Sequence, residues 1–250
     1  MEIIDRHDNG KMRTKAQLVD GKLHGDVLSY AEDERLVHKA AYVAGQLDGE
    51  SVTYGETGKP IERATFKAGK LQGETVAYDA EGRVAQRMTF VAGKLNGELL
   101  IYTEGVLRTK LTYVDGKQHG PFTANDEDGN EVVRSTYKDG KLNGESVFLD
   151  AKGKLLRKAN YRDNKLHGEV TEYHLSGHPR ERGPYKAGKK EGEWRTFADD
   201  GRLVSKAYYK GGELRGTPIE YDDKGNPKQP DDGGGKKSVF AAIAGKLGGG

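Results

Sequence analysis

The chain has 250 residues, of which 34% are hydrophobic, 32% are charged and 36 are glycine. So thin an apolar content argues against a thick core of ordinary composition and fits an elongated chain of units that touch only their neighbours. A net charge of +2, from 41 basic and 39 acidic residues, lacks the basic excess of nonspecific nucleic-acid binding, and the absence of cysteine removes disulfide and thiolate chemistry.

The N-terminal run Met1-Glu2-Ile3-Ile4-Asp5-Arg6 has no signal-type apolar core, and no segment approaches a membrane-span length. A cytoplasmic protein is the expectation. Residues 1–20 read as a degenerate hairpin. The phrase Gly-Lys-Leu-x-Gly-Glu then begins at Gly21 (with Asp26 in the acidic slot) and returns at Gly69, Gly93 and Gly140. Looser copies start at Gly45, Gly116, Asn164, Gly188 and Gly212. The spacing is 24 residues throughout except for 23 between Gly93 and Gly116, where the deletion falls in the turn around Glu104-Gly105. The second glycine is unbroken from Gly25 through Gly49, Gly73, Gly97, Gly120, Gly144, Gly168 and Gly192 to Gly216, which predicts a positive φ in a tight turn. A second turn follows mid-repeat, as at Glu56-Thr57-Gly58 and Ala80-Glu81-Gly82. Two turns per repeat leave two short strands, so each repeat is predicted to be one β-hairpin.

Within a repeat the side chains alternate. One aromatic column runs Tyr30, Tyr54, Tyr78, Tyr102, Tyr173, Phe197 and Tyr221; a closing column runs Tyr42, Phe66, Phe90, Tyr113, Tyr137, Tyr161, Tyr185 and Tyr209. Rings confined to two slots predict structural ladders between stacked repeats. Leu28, Val52, Val76, Leu100 and Val147 lie two residues before the first column and share its face. Neighbouring hairpins should sit roughly 9.5 Å apart, two inter-strand spacings.

These phrases, with the tyrosine five residues on, the mid-repeat glycine and the closing ring, resemble the MORN repeat, and more closely its bacterial variant in YwqK-like antitoxins. The resemblance covers residues 21 to about 226 and departs at Asn125 and Leu149, where the first ring is missing, and at Pro121 and Thr217, where the acid is missing. It implies an all-β fold: an elongated single-layer antiparallel sheet of tandem hairpins over residues 1–227. It also implies a non-catalytic binding role, in bacterial members as an antitoxin or immunity protein that neutralises a cognate toxin effector. Eukaryotic MORN proteins are associated with membranes and scaffolding.

Two candidate surfaces follow from the columns. A basic residue always stands six places before the phrase, as Lys15, Lys39, Arg63, Arg87, Lys110, Arg134, Lys158, Arg182 and Lys206, on the face opposite the closing ring. It reads either as a solvated ladder partly neutralised by the acidic column, or as a contact for an acidic partner or anionic lipid. The second surface consists of Leu99, Ile101, Phe122, Phe148, Val170 and Trp194, which alternate against the expected core pattern. They read either as an exposed apolar interface or as a face that the curling sheet covers itself. The partner-binding set expected from both is Leu99, Ile101, Phe122, Phe148, Val170, Trp194, Arg134, Lys158 and Arg182. His24, His119 and His167 read as turn residues; His174 and His178 flank Ser176-Gly177 and do not read as a metal pair. No nucleophile elbow, phosphate loop or paired-carboxylate motif appears, so no catalytic residue, cofactor or metal is expected. Residues 228–235 read as a linker and 236–250 as an amphipathic tail, a possible short helix that caps the last hairpin or docks into a partner. The functional expectation is a protein-binding scaffold, most specifically an antitoxin; the alternative is a scaffold on anionic membrane or cytoskeleton.

Overall fold

Each repeat begins at a reversal that needs two consecutive residues of positive φ. Ala44 and Gly45 have φ of 51° and 86°, and the same pattern recurs at Asp20-Gly21, Ala68-Gly69, Ala92-Gly93, Asp115-Gly116, Asp139-Gly140, Asp163-Asn164, Ala187-Gly188 and Gly211-Gly212. This is the type I′ signature, whose twist matches that of the flanking strands. A computed structural model describes residues 1–229. Its strand segments, from Glu2–Arg6 to Glu213–Glu220, form one open antiparallel sheet in which each strand pairs with the strand before and the strand after it. Substantial contacts run only between strands adjacent in this meander, so the sheet is a single layer. Tyr221 bridges Pro227 to close the last reversal. The described residues contain no helix long and apolar enough to cross a membrane. The segment 236–250 lies outside the described residues, as does all but the start of 228–235.

The mid-repeat reversals lie on the opposite edge and are longer. The Gly58 N–H donates to the Gly55 carbonyl and the Gly55 N–H to the Lys59 carbonyl, a four-residue turn completed by a glycine of positive φ. Where the repeat is one residue short, Thr103 pairs directly with Val106 and the loop collapses to Glu104-Gly105, with φ of 53° and 84°. The strands on either side keep their pairing, as expected of a deletion placed in a turn.

The second glycine of the phrase has positive φ in all nine copies, but it does not lie in a turn. Gly49 sits inside the strand Gln46–Tyr54, where Tyr42 pairs with Leu47 and Ala40 pairs with Ser51. Three residues, Asp48-Gly49-Glu50, therefore oppose the single residue Ala41. At this bulge Gly49 has φ of 123°, and a Cβ there would fall 2.8 Å from that of Ala41. The glycine is needed for its backbone angle and for the close approach of the neighbouring strand. The step from Leu47 to Ser51 is four positions and that from Tyr42 to Ala40 two, both even, so the faces are not exchanged.

One face carries the closing rings and a row that crosses the whole sheet by direct pairing: Ala40 with Ser51, Ser51 with Ala64, Leu99 with Leu111, Ala159 with Val170, and Trp194 with Ala207. Ala40, Ala159, Val170, Leu99 and Trp194 in this row are buried. The opposite face carries the first ring column, the basic ladder and the buried Val52, Val76 and Val147.

Turns are also tied to turns. The Gly45, Gly69, Gly93 and Gly116 N–H groups donate to the carbonyls of Leu23, Leu47, Leu71 and Leu95 in the preceding repeat, at 2.7–2.8 Å, and the series continues through Gly140, Asn164, Gly188 and Gly212. These bonds stack successive hairpins along one edge.

Candidate functional site

The expected apolar patch is the core. Trp194 is 4% exposed, Val170 3% and Leu99 8%, while Ile101, Phe122 and Phe148 are half-buried. The exposed-interface reading is thereby overturned for Leu99, Val170 and Trp194. They share their face with the closing rings, and in a single-layer sheet those long neighbours cover the shorter side chains between them. Trp194 meets Tyr185 and Tyr209 edge-on, with ring centroids 5.2 and 6.3 Å away, and its Nε1–H donates to the Pro184 carbonyl at 3.1 Å. Space for it is made by Gly183, the residue beside it: a Cβ at Gly183 would fall 2.5 Å from the indole. Other repeats place Ala40, Ala64 or Ala159 in that slot against a smaller partner. Lys190, standing where most phrases have leucine, caps this cluster with its Nζ 3.7 Å from the Trp194 ring centroid and 2.8 Å from Glu181 Oε1. Phe122 packs edge-on against Tyr137 at 5.9 Å, and the Arg157 guanidinium lies 5.9 Å from the Phe148 ring centroid.

Arg134, Lys158 and Arg182 lie on the other face, aligned along the ladder but differing from its earlier members. Lys39, Arg63 and Arg87 pair with Asp26, Glu50 and Glu74 at 2.8, 3.0 and 3.2 Å, and Lys15 and Lys110 pair with Glu2 and Glu98. The hydrogen bond that Lys39 donates to the Asp26 carboxylate is the main cause that raises the pKa of Lys39 above its ordinary value. At Arg134 the matching acidic slot holds Pro121, and Arg134 turns to Glu131 at 3.3 Å instead. Among the described residues Lys158, Arg182 and Lys206 have no carboxylate within 4 Å. Arg182 and Lys206 instead lie over the Phe197 and Tyr221 rings, at 5.3 and 5.8 Å from the centroids. Glu193 is drawn away from Lys206 by the Tyr208 hydroxyl, which donates to it at 2.6 Å, and by Arg195. That hydroxyl is the leading cause holding the Glu193 carboxyl below its usual range.

One column escapes a reading that looks only for invariant slots. The residue after each closing ring ends its strand at the type I′ edge, on the ladder face. It is Val43, Val91 and Val114 in the first half, with Val19 after Leu18 in the equivalent slot and Lys67 as the exception, and Lys138, Arg162, Lys186 and Lys210 in the second. All of these residues are exposed. The signal was present in the aligned repeats as a change partway along a column.

The histidines serve the reversals. His174 Nε2 hydrogen-bonds the Phe197 carbonyl and His178 Nδ1 the Asp199 carbonyl, both at 2.9 Å and both in the next repeat. Among the described residues no three histidine, cysteine or acidic side chains group to hold a metal ion.

No curated protein matches the chain. Solved structures that resemble it include the Photorhabdus luminescens Tc holotoxin pore, at 12% identity and a TM-score of 0.21, covering 88% of this chain and 14% of that one. A TcdB2-TccC3-Cdc42 crystal structure matches at 11% identity and the same TM-score of 0.21, covering 88% and 16%. The chain thus spans about one-sixth or less of the length of these structures, and a likeness at that TM-score carries no argument. Residues 47–68, 166–187 and 190–210 match the MORN repeat variant, so the hairpins that build this sheet include three recognisable units of that repeat.

Proposed function

We propose that the chain is a non-catalytic scaffold that binds a protein partner through the ladder face of its second half, around Arg134, Lys158 and Arg182. The observation that supports this reading is the change along the ladder from cations paired across the strands with the acidic column to Arg134, which pairs with Glu131 on its own strand, Lys158, which has no carboxylate within 4 Å among the described residues, and Arg182, which lies over the Phe197 ring. Only Arg134 has lost its acidic slot, to Pro121; Glu145, Glu169 and Glu193 still stand in the slots of Lys158, Arg182 and Lys206 but lie more than 4 Å from them, which leaves those cations open to a partner's carboxylates. Arginine and aromatic side chains set side by side also suit an interface with an acidic surface. Leu99, Val170 and Trp194 have no part in it, because they are buried.

The finer reading makes the partner a toxin effector and this chain its antitoxin. Its support is the resemblance of the repeats. The test is to co-express the chain with the product of the adjacent gene and measure stoichiometric binding and rescue of growth. Arg134→Glu with Arg182→Glu is expected to weaken binding by about tenfold or more, the scale for disrupted charged contacts, while Arg63→Glu leaves it unchanged. Salt-sensitive binding to anionic vesicles, with no protein captured, would favour the membrane reading instead.

A further inference from the structure

We propose that the type I′ edge of the second half is a basic rail that binds an extended acidic polypeptide segment, with acidic residues engaged at about every third position. The rail stands apart from the ladder of Arg134, Lys158 and Arg182, so either surface can fail without the other.

Three successive reversals place like charges directly opposite each other across the strand pair: Lys138 against Lys141, Arg162 against Lys165, and Lys186 against Lys189. Such pairs destabilise a sheet, and the first half avoids them by setting Val43 against Gln46 and Val91 against Lys94. Its one like pair, Lys67 against Lys70, is relieved by Asp48 at 3.0 Å from Lys67. In the second half only Lys141 has such relief, from Asp163 at 3.6 Å; among the described residues Lys138, Arg162, Lys165, Lys186 and Lys189 have no carboxylate within 4 Å. The turn acids Asp139 and Asp163 are not followed by others, since the next two reversals are Ala187-Gly188 and Gly211-Gly212. Three repeats in a row thus keep a repulsive arrangement that brings the fold no return. Between the first two reversals the edge hollows into a concavity of about 560 Å³, bordered by Lys117, Lys138, Lys141 and Arg162 together with Asp139 and Asp163.

The spacing selects the ligand. Successive reversals are two strands apart, roughly 9.5 Å, and an extended chain advances about 3.3 Å per residue, so three residues span about one repeat. The three reversals then fit a segment of about seven residues; at the next one Lys210 already faces Glu213. A single-stranded nucleic acid needs rings to stack on, and the rings next to these cations, Tyr137, Tyr161 and Tyr185, belong to the opposite face by strand alternation.

The test uses the full chain and fluorescence anisotropy with labelled peptides of about twelve residues, glutamate at every third position among serine and glycine, at low salt. A control peptide carries the same number of glutamates at every second position. The triplet peptide is expected to bind about tenfold tighter than the control, with affinity falling steeply as salt rises. Lys138→Glu with Lys186→Glu should abolish that preference and also raise the thermal midpoint, because each replaces a like pair by an opposite one. Lys59→Gln, at a mid-repeat reversal of the first half, should leave peptide binding unchanged. Equal binding of both peptides, or an affinity unmoved by the double charge reversal, would overturn the proposal. So would an oligonucleotide or a phosphatidylserine vesicle that responds to the reversal while the triplet peptide does not.

Discussion

The two halves of the sheet share one backbone plan and differ in how they spend their side chains. Up to about residue 115 the ladder is neutralised within each hairpin, the strand ends are mostly valine, and the central row is filled by small or medium groups such as Ala40, Ser51, Ala64 and Leu99. Beyond it the ladder loses its partners, the strand ends become lysine or arginine, and the row alternates extremes: the buried pair Ser135 and Ser146, hydrogen-bonded at 2.8 Å, then Ala159 with Val170, then Gly183 with Trp194. Pro121 in the acidic slot lies near the changeover. Because each unit touches only its neighbours, a repeat array tolerates such local changes, and one half can keep its charges paired while the other leaves them open.

The largest expected effect breaks the packed end of the second half. Trp194→Ala should cost about 3–5 kcal/mol, seen as loss of amide protection in residues around 160–210 while the first hairpins stay protected. The equivalent slot in the first half is Thr75, whose hydroxyl is buried with no hydrogen-bond partner. Thr75→Val should therefore stabilise by about 1 kcal/mol, and opposite signs at one column position in a denaturant titration would sharpen the contrast. Gly183→Ala should cost about 1–3 kcal/mol by overpacking against the indole. Adding Trp194→Val should recover much of that loss, since the double variant recreates the Ala159–Val170 pair of the repeat before. A double variant no more stable than Gly183→Ala would break the account of the row as matched sizes.

Smaller effects concern the edges and the charges. Ala44, Ala68, Ala92 and Ala187 hold φ near 50°, a region costly for a residue with a Cβ. Ala44→Gly should raise stability by about 0.5–1 kcal/mol, and Val43→Gly, at an ordinary strand position, should lower it. Arg63→Gln should lower stability by a few tenths of a kcal/mol, an effect that fades with salt, and Lys158→Gln should be near neutral. The Asp48 carboxyl is held below its usual range by Lys67 and then by the Ala68 N–H. A depressed carboxyl contributes stability above its unfolded pKa and loses it as pH falls through the folded value. Acid titration of Asp48→Asn against the unaltered chain should therefore show a shallower decline of stability below about pH 4; parallel curves would remove this tie within the hairpin of residues 45–68.

Much was legible in the residues because it is local. The repeat period, the reversals, the placement of the one-residue deletion and the parity that separates Lys39 from Tyr42 follow from spacing alone. The positive φ of the second glycine was legible too, but its setting was not: a glycine in a turn and a glycine at a bulge leave the same mark, and only the pairing of Ala40 with Ser51 and Tyr42 with Leu47 distinguishes them. The candidate site was legible as an alignment of Arg134, Lys158 and Arg182 and misread at Leu99, Val170 and Trp194, since in a strand both faces alternate equally well.

What the amino-acid order determined by itself was a chain of hairpins, because turn geometry and alternation depend on residues a few positions apart. Which face became the core, and which cations kept their counter-charges, was decided only when strands lay side by side. Burial and ion pairing are properties of neighbours across the sheet: Trp194 is covered because Gly183 yields to it and Tyr185 and Tyr209 flank it, and no spacing within one strand records that.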